Sequence, residues 1–231
     1  MGFSDFLFPR RCFNCRKTGS YFCSACLQLI KEPRNPICPT CFRRSLLGST
    51  HAGCLRPYSL DGLVSVFTYE GIIKKAIKNL KYRFITDLAW ELTNLTVSWL
   101  KKGENRFWPG FGKTWILLPI PLHPQRKRWR GFNQAELLGK MIVQQTNWRY
   151  YDDILIRSRF THPQVEIKDK KKRLANVKGA FKINHESRLT INGSRIILFD
   201  DVWTTGSTIK EAAKVLKRQK ASRVWALTIA R

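Results

Sequence analysis

Two adjacent carboxylates and a hydroxyl-rich loop lie between an apolar run and a helical pattern near the end of the chain. Residues 196–199 are four consecutive apolar side chains, which is typical of a strand buried on both faces of an α/β sheet. Asp200 and Asp201 follow directly, and the apolar spacing over 209–218 predicts a helix. The loop that joins them contains Thr204, Thr205, Gly206, Ser207 and Thr208.

This unit offers the groups that a phosphorylated sugar requires. Free backbone N–H groups and the dipole at the start of a helix favour an anion, and the loop adds hydroxyl donors and a glycine that permits close approach. The two carboxylates can accept hydrogen bonds from sugar hydroxyls just beyond that phosphate. The alternative is an ordinary strand–turn–helix unit in which Asp201 caps the helix. The coincidence of all three features favours the phosphosugar interpretation.

The seven cysteines all lie before residue 55, and they occur in pairs. Three pairs have the spacing Cys-x-x-Cys, and the seventh cysteine follows a histidine at the same spacing. Thiolates and imidazoles on two-residue spacers are typical ligands of tetrahedral structural zinc. The arithmetic predicts two sites, which are Cys12, Cys15, Cys23 and Cys26, and then Cys38, Cys41, His51 and Cys54.

Alternatives to this zinc arrangement stay open at the level of the sequence. Disulfides are the weaker interpretation, because residues 1–11 lack a signal-peptide core and an odd cysteine count leaves one thiol unpaired. The pairs could also interleave, with the first and third sharing one ion. A lone histidine is more often a surface residue, so His51 is the ligand that most needs a structural test.

The chain is strongly basic along its whole length. Lys and Arg number 42 against 16 acidic residues, which gives a formal net charge of +26. Such an excess concerns partners rather than fold, and nucleic acid or an anionic small substrate would suit it. No apolar run has transmembrane length, so we expect a cytoplasmic protein without membrane insertion.

Strand and helix patterns alternate after the cysteines, which predicts βαβ units and a largely parallel sheet with ligands beyond its carboxyl ends. We expect a small zinc domain at 1–58 and an α/β domain at 59–231. The expected strands are 63–69, 115–118, 154–156, 196–199 and 223–229, and the expected helices are 72–80, 87–100, 133–145 and 209–218, with a loop at 101–113. In the first of these helices the solvent-facing side should carry Lys74, Lys75, Lys78 and Lys81.

Two basic loops are expected at the ligand-binding end. Residues 119–134 place four cations within five positions directly after a buried strand, a density that could collect a pyrophosphate. Residues 157–181 contain Arg173 and a Gly-Ala-Phe turn, and could form a lid that excludes water. Either segment could equally be a solvated loop in so basic a chain.

Four motifs in this order resemble the ComF family, a branch of the type I phosphoribosyltransferase superfamily with an N-terminal double zinc ribbon. They are the cysteine pairs, the Pro-Ile-Pro-Leu-His-Pro…Arg-Gly-Phe-Asn-Gln-Ala segment over 119–135, Asn-x-x-Gly-Ala-Phe over 176–181, and Asp-Asp-Val-x-Thr-Thr-Gly over 200–206. The resemblance covers nearly the whole chain. One departure is His51, which stands where many relatives have a cysteine and leaves a zinc-competent ligand.

The resemblance implies a site for 5-phosphoribosyl-1-pyrophosphate (PRPP). It assigns Asp200 and Asp201 to catalysis and to the ribose 2- and 3-hydroxyls, and residues 204–208 to the 5-phosphate. Mg²⁺ would accompany PRPP, held mostly by the oxygens of PRPP and by water. The candidates for the pyrophosphate and the flexible loop are Arg126, Arg128, Arg130 and Arg173.

The resemblance also implies a role in natural competence, in DNA uptake and transformation, with other competence or DNA-processing proteins as partners. Two functions stay open. The chain could be a transferase that uses PRPP, although the sequence identifies neither an acceptor site nor a general base. It could instead bind single-stranded DNA through charge and base stacking, with a regulatory or vestigial PRPP pocket. The stacking candidates are Trp129, Phe132, Trp148, Tyr150 and Tyr151.

Overall fold

The structure is a computed structural model that describes residues 9–82, 86–103, 114–161, 175–187 and 189–231. Its strands are β1 (Gly62–Phe67), β2 (Trp115–Pro119), β3 (Arg149–Tyr150), β4 (Leu155–Arg157), β5 (Phe181–Ile183), β6 (Arg195–Val202) and β7 (Arg223–Ala230). Five of them form a parallel sheet in the order β1-β7-β6-β2-β3, while β4 and β5 form a separate antiparallel pair. The predicted fold class, a largely parallel α/β sheet preceded by a small cysteine-rich segment, is confirmed.

Helices cover both faces of the sheet. They are α1 (Ser24–Leu27), α2 (Gly71–Tyr82), α3 (Thr86–Gly103), α4 (Pro124–Arg130), α5 (Gln134–Gln145) and α6 (Ser207–Arg218). Two single 3₁₀ turns, Leu46–Gly48 and Ala52–Cys54, belong to the cysteine-rich segment. Among the helices that the structure describes, none is both long enough and apolar enough to cross a membrane.

The central strand β6 supplies both halves of the hydrophobic core. Ile197 and Phe199 belong to the cluster that includes α2, α3 and α5. Ile196 and Leu198 belong to the opposite cluster, which includes α6 and the β4–β5 pair. Because successive strand residues face opposite sides, the unbroken apolar run in the sequence is the expected signature of such a doubly covered strand.

Two predicted elements differ from the structure. The basic segment at 119–134 was expected to be a loop, but it contains α4. The signals for this helix are its flanks: His123 accepts the N–H of Gln125 at its start, Pro124 occupies the first turn, and Gly131 ends it in the left-handed region. The strand expected at 154–156 exists as β4, but it pairs with β5 and lies outside the central sheet.

The helix expected at 87–100 extends to Gly103, so the first residues of the predicted loop at 101–113 are helical. The remainder of that loop, 104–113, lies outside the described residues. The other predicted strands and helices of the central layer agree with the structure to within a few residues at each end.

The cysteine-rich segment packs directly on α2 and α3. Cys12, Phe22 and Cys26 are part of the same buried cluster as the apolar faces of those helices. The carboxylate of Glu91 on α3 accepts the backbone N–H groups of Tyr21 at 3.1 Å and Phe22 at 3.2 Å. The hydrophobic core is therefore continuous across the predicted boundary at residues 58 and 59, and the boundary itself stays a prediction.

Candidate functional site

The two adjacent carboxylates occupy the carboxyl end of β6, and they leave the strand toward opposite faces. Asp201 forms an ion pair with Lys81 at the end of α2, with 2.8 Å between Oδ2 and Nζ. Asp200 lies on the other face, where its charge acts on Arg157 of β4. The Asp201 N–H also donates to Asp200 Oδ1 at 2.8 Å. The pair therefore connects the α2 side of the sheet with the β4 side.

Lys81 corrects a prediction, because it does not lie on the solvent side of α2. Its side chain is 22% exposed and that of its partner Asp201 is 9% exposed. Residue 81 is four positions after the buried Ile77, so helical spacing places it on the apolar face, a signal that the lysine-rich pattern concealed. Burial alone would lower the pKa of Lys81, but the Asp201 carboxylate more than offsets this and raises it.

Burial raises the pKa of Asp200 to about 7, and the neighbouring negative charge of Asp201 acts in the same direction. Lys81, the Asp201 N–H and Arg157 oppose this shift only in part. Asp200 can consequently exchange its proton close to neutral pH, so a ligand that donates hydrogen bonds can change its charge.

The hydroxyl-rich loop lies between β6 and α6, as the sequence predicts. Gly206 is the N-cap residue of α6 and has a φ of 69°, in the left-handed region where glycine is favoured. Because Gly206 has no side chain, its position leaves the first turn of the helix open to an anion. The Thr205 and Ser207 hydroxyl oxygens are 2.6 Å apart, while Thr204 at the tip is exposed.

Two aromatic residues, Trp203 and Phe42, lie beneath this loop and form what we call its floor. A Cβ atom at Gly206 would lie 2.2 Å from the buried Trp203 ring, so the position accepts only glycine. The Lys210 ammonium lies 5.4 Å from the centroid of the Trp203 ring and 4.8 Å from that of Phe42, and it donates to the Thr205 carbonyl at 3.4 Å. Phe42 follows the third Cys-x-x-Cys pair, so the cysteine-rich segment contributes to the floor of the loop.

Three of the four arginines predicted for the pyrophosphate or the flexible loop are among the described residues, and their environments differ. Arg126 is partly buried, and its charge lowers the pKa of Arg157 near the acidic pair. Arg128 is exposed, and Arg130 donates to Gln134 Oε1 at 2.8 Å. Arg173 lies outside the described residues.

The eight predicted metal ligands form two clusters, and in each cluster the four ligand atoms lie within 4.8 Å of one another. The clusters are Cys12, Cys15, Cys23 and Cys26, and Cys38, Cys41, His51 and Cys54, so the cysteine pairs do not interleave. His51 Nδ1 is 3.4 Å from Cys41 Sγ, and its Nε2–H can donate to the Arg44 carbonyl at 3.0 Å. This hydrogen bond from Nε2 fixes the ring with Nδ1 toward the thiols, so the donor set fits tetrahedral zinc.

Within each cluster, the pKa is lowered for one thiol and raised for another. Burial opposes ionisation of Cys12, but backbone N–H groups that donate to its sulfur lower its pKa to about 6. Cys38 behaves in the same way, with a pKa of about 7. The Cys26 N–H opposes a rise at Cys23, but neighbouring thiols and burial raise its pKa to about 11. Burial and neighbouring thiols raise the pKa of Cys54 to about 11 as well. A cation at the centre is what would allow every thiol of a cluster to ionise together.

The chain is similar to known proteins over most of its length. The DNA utilization protein YhgH of Escherichia coli O6:H1 is 30% identical over 232 residues, which cover 95% of this chain and 96% of that protein. Competence protein ComFC of Bacillus subtilis is 29% identical over 90% of this chain and 83% of its own. Competence protein F of Haemophilus influenzae is 30% identical over 95% of this chain and 97% of its own. The chain belongs to the ComF family.

No family model matches the chain. Among solved structures, a hypoxanthine phosphoribosyltransferase from Staphylococcus aureus aligns with 62% of this chain at 15% identity and a TM-score of 0.37. The alignment covers 63% of that enzyme, which is less than two thirds of its length. The hypoxanthine-guanine enzyme of L. donovani aligns with 62% of this chain and 71% of its own at 8% identity and a TM-score of 0.35.

Asn133 and Gln134, in the motif over residues 119–135, connect the elements that position the site. Asn133 is buried; its side chain caps α5 by accepting the Ala135 N–H at 3.0 Å, and it donates to the Ile120 carbonyl at 3.0 Å. Gln134 is also buried, and it donates to the carbonyl of Lys81 at 3.5 Å. The two amides thus fix the start of α5 to the ends of β2 and α2.

Sequence reasoning missed three residues of the site. Lys81, Arg157 and Phe42 each reach it from an element distant in the chain. For Lys81 the helical spacing held a usable signal, as described above. For Arg157 and Phe42 we find none, because their positions depend on the β4–β5 pairing and on the docking of the cysteine-rich segment.

Proposed function

We propose that this ComF-family protein binds PRPP with Mg²⁺ at the carboxyl edge of its sheet. The observation that supports this most is the continuity of β6, the acidic pair and the hydroxyl-rich loop at the start of α6. Strand carboxyl ends and helix N-termini are where α/β sheets bind phosphorylated ligands.

The 5-phosphate would be held by the loop of residues 204–208. The Thr205 and Ser207 hydroxyls face each other at 2.6 Å and can both turn toward an anion. The Lys210 ammonium, already bonded to the Thr205 carbonyl, adds a positive charge beneath the loop. The fit requires glycine at 206, where any side chain would meet the Trp203 ring.

The ribose hydroxyls would donate to Asp200 and Asp201. Lys81 neutralises Asp201 in the free protein, which leaves Asp200 as the carboxylate whose ionisation is most easily changed by a ligand. When bound, Mg²⁺ would neutralise charge on the pyrophosphate of PRPP. Among the predicted pyrophosphate residues, Arg126 acts on Arg157, whose charge in turn acts on Asp200.

Each cysteine cluster would hold one structural zinc ion, which gives two ions per chain. The supporting observation is the convergence of four thiol or imidazole ligand atoms within 4.8 Å in both clusters. In the second cluster, the bond between His51 and the Arg44 carbonyl gives the ring the orientation that a ligand needs. Elemental analysis of the purified protein counts the ions.

The names of the relatives support a role in natural competence, DNA uptake and transformation, with DNA-processing proteins as partners. Single-stranded DNA is a second candidate ligand, and one observation favours it. Trp129 is 73% exposed on α4, a helix that also carries four cations. The other four predicted stacking residues are only partly exposed, so Trp129 is the strongest of the five.

Thermal unfolding tests the PRPP site. A ligand that binds only the folded state raises the unfolding temperature, so PRPP with Mg²⁺ should stabilise the zinc-loaded protein. The variant Thr205→Val keeps the shape of the side chain but loses its hydroxyl, and it should show a smaller shift. Equal shifts for both proteins, or none for either, would count against the assignment of this loop.

A further inference from the structure

Arg157 is a buried cation that has no ion-pair partner in the part of the chain that the structure describes. The residue is 5% exposed, and its guanidinium lies 5.4 Å from the centroid of the Phe181 ring. One terminal nitrogen donates to the Thr161 hydroxyl, while the buried Nε has no hydrogen-bond partner. Across the described ranges, no carboxylate lies within ion-pairing distance of this guanidinium.

Such a side chain is costly in the free protein. Burial and, to a smaller extent, the positive charge of Arg126 lower the pKa of Arg157 to about 10, against a smaller opposing effect of Asp200. A methionine would fill the same space against Phe181 without the cost of an unpaired charge. The guanidinium is therefore better explained by a ligand than by the packing of the protein alone.

The position of Arg157 indicates the kind of ligand. It ends β4, opposite Phe181 of β5, on the side of the sheet to which Asp200 projects. Arg126 approaches from α4, which follows β2 at the same carboxyl edge. Two guanidinium groups and one protonatable carboxylate from three separate elements thus converge.

Arg157 also borders an open cavity of about 600 Å³. Lys127 and Arg128 of α4 line the same cavity. Of the three carboxylates there, Glu136 is paired with Lys127 at 2.7 Å and Asp152 with Lys140 at 2.9 Å, while Asp153 has no ion pair among the described residues. Two of the three acidic groups of the cavity are thus neutralised, and the lining cations favour the approach of an anion from this side.

We propose that Arg157, together with Arg126, forms the subsite for the pyrophosphate group of PRPP. The inference rests on the proposed function and adds to it the residue that recognises the leaving group. A planar guanidinium can bind two phosphate oxygens at once, and a desolvated one does so more strongly than an exposed side chain. Arg128 is exposed and Arg130 is bonded to Gln134, so neither has the same environment.

The test compares Arg157→Met with a matched control. Arg149 also stacks on an aromatic ring, at 5.4 Å from the centroid of Tyr151, and donates to that residue's hydroxyl. It lies on β3, near the opposite end of β2, so Arg149→Met removes the same charge away from the site. Calorimetric titrations of the zinc-loaded proteins with Mg²⁺ plus pyrophosphate, PRPP or ribose 5-phosphate compare the three ligands.

We expect Arg157→Met to weaken the binding of pyrophosphate and PRPP by about tenfold or more, the loss typical of a buried charge-assisted contact. Ribose 5-phosphate should bind within about twofold of the wild-type affinity, and Arg149→Met should match the wild type throughout. Without ligand, the unfolding temperature of Arg157→Met should equal or exceed that of the wild type, because the substitution removes an unpaired buried charge.

The outcomes separate the two proposals. Wild-type binding of PRPP that Arg157→Met leaves unchanged would overturn the subsite alone. Pyrophosphate binding that depends on Arg157, without any binding of PRPP or ribose 5-phosphate, would support the anion subsite and overturn the proposed function. An unstable Arg157→Met that loses all three ligands equally would show a structural role and overturn the subsite. Absence of all binding in the wild type would overturn both.

Discussion

The protonation of Asp200 should couple PRPP binding to pH. Burial and the charge of Asp201 raise its pKa to about 7, while ribose hydroxyls would donate to the ionised form. Binding should therefore release a proton near neutral pH, and affinity should rise as pH increases from 6 to 8. Calorimetry in buffers of different ionisation enthalpy measures the proton count. Asp200→Asn should abolish proton release. Proton release that persists in this variant would come from another group.

The same shift has a consequence for stability. The folded protein holds the Asp200 proton up to about pH 7, whereas an unfolded chain loses it near pH 4. Between these pH values the folded state binds more protons, so the contribution of Asp200 to stability decreases as the pH rises. Asp200→Asn removes this contribution to the pH dependence.

Lys81 should be required for the stability of the site. In Lys81→Met the buried Asp201 loses its ion-pair partner, and we expect a loss of about 3 kcal/mol in the free energy of unfolding at pH 8. Urea denaturation measures this loss. Lys78→Met, on the exposed face of the same helix, should stay within about 0.5 kcal/mol of the wild type. Similar losses in both variants would show that the ion pair contributes little.

At the scale of elements, the second cysteine cluster and the hydroxyl-rich loop are physically joined. Phe42 packs on Trp203, with ring centroids 6.4 Å apart, and both rings contact Lys210. We expect Phe42→Ala to loosen this floor and weaken PRPP binding by about fivefold, the value of one aromatic contact. Phe13→Ala is the matched control, because Phe13 stacks on Tyr21 near the first cluster.

Titration of both variants with PRPP and Mg²⁺ distinguishes the effects. An unchanged affinity in Phe42→Ala would show that the loop keeps its shape without the cysteine-rich segment. An equal loss in Phe13→Ala would attribute the effect to general destabilisation and not to the floor of the loop.

The predictability of each element follows from where its stabilising contacts lie. The strand β6 and the helix α6 were predictable because an apolar run and a 3.6-residue stripe are local signals. The helix α4 was concealed by its cations, although Pro124 and Gly131 marked its ends. The positions of Arg157 and Phe42 were not predictable, because they depend on pairing across the chain, from β4 to β5 and from residue 42 to residue 203.

At the scale of the whole molecule, the high positive charge and the exposed Trp129 suit a single-stranded nucleic acid. We expect Trp129→Ala to weaken binding of an oligonucleotide by about tenfold, since one stacked base contributes about 1–3 kcal/mol. Trp90→Ala is the matched control, because Trp90 is 58% exposed on α3. Fluorescence anisotropy at several salt concentrations measures both variants, and affinity should fall steeply with salt.

Equal DNA affinity of the wild type and Trp129→Ala would remove this residue from the proposed DNA surface. An affinity insensitive to salt would contradict the electrostatic account, whatever the effect of Trp129. PRPP binding by Trp129→Ala should remain unchanged, because the tryptophan is exposed on the outside of α4.

The central claim is that the acidic pair at the end of β6 belongs to a working PRPP site. Calorimetric titration of the zinc-loaded protein with PRPP and Mg²⁺, beside the double variant Asp200→Asn/Asp201→Asn, tests it most directly. We predict saturable binding by the wild type and its loss in the double variant, with both proteins folded and equally loaded with zinc. Absence of binding in the wild type, or equal binding by both proteins, would contradict the account.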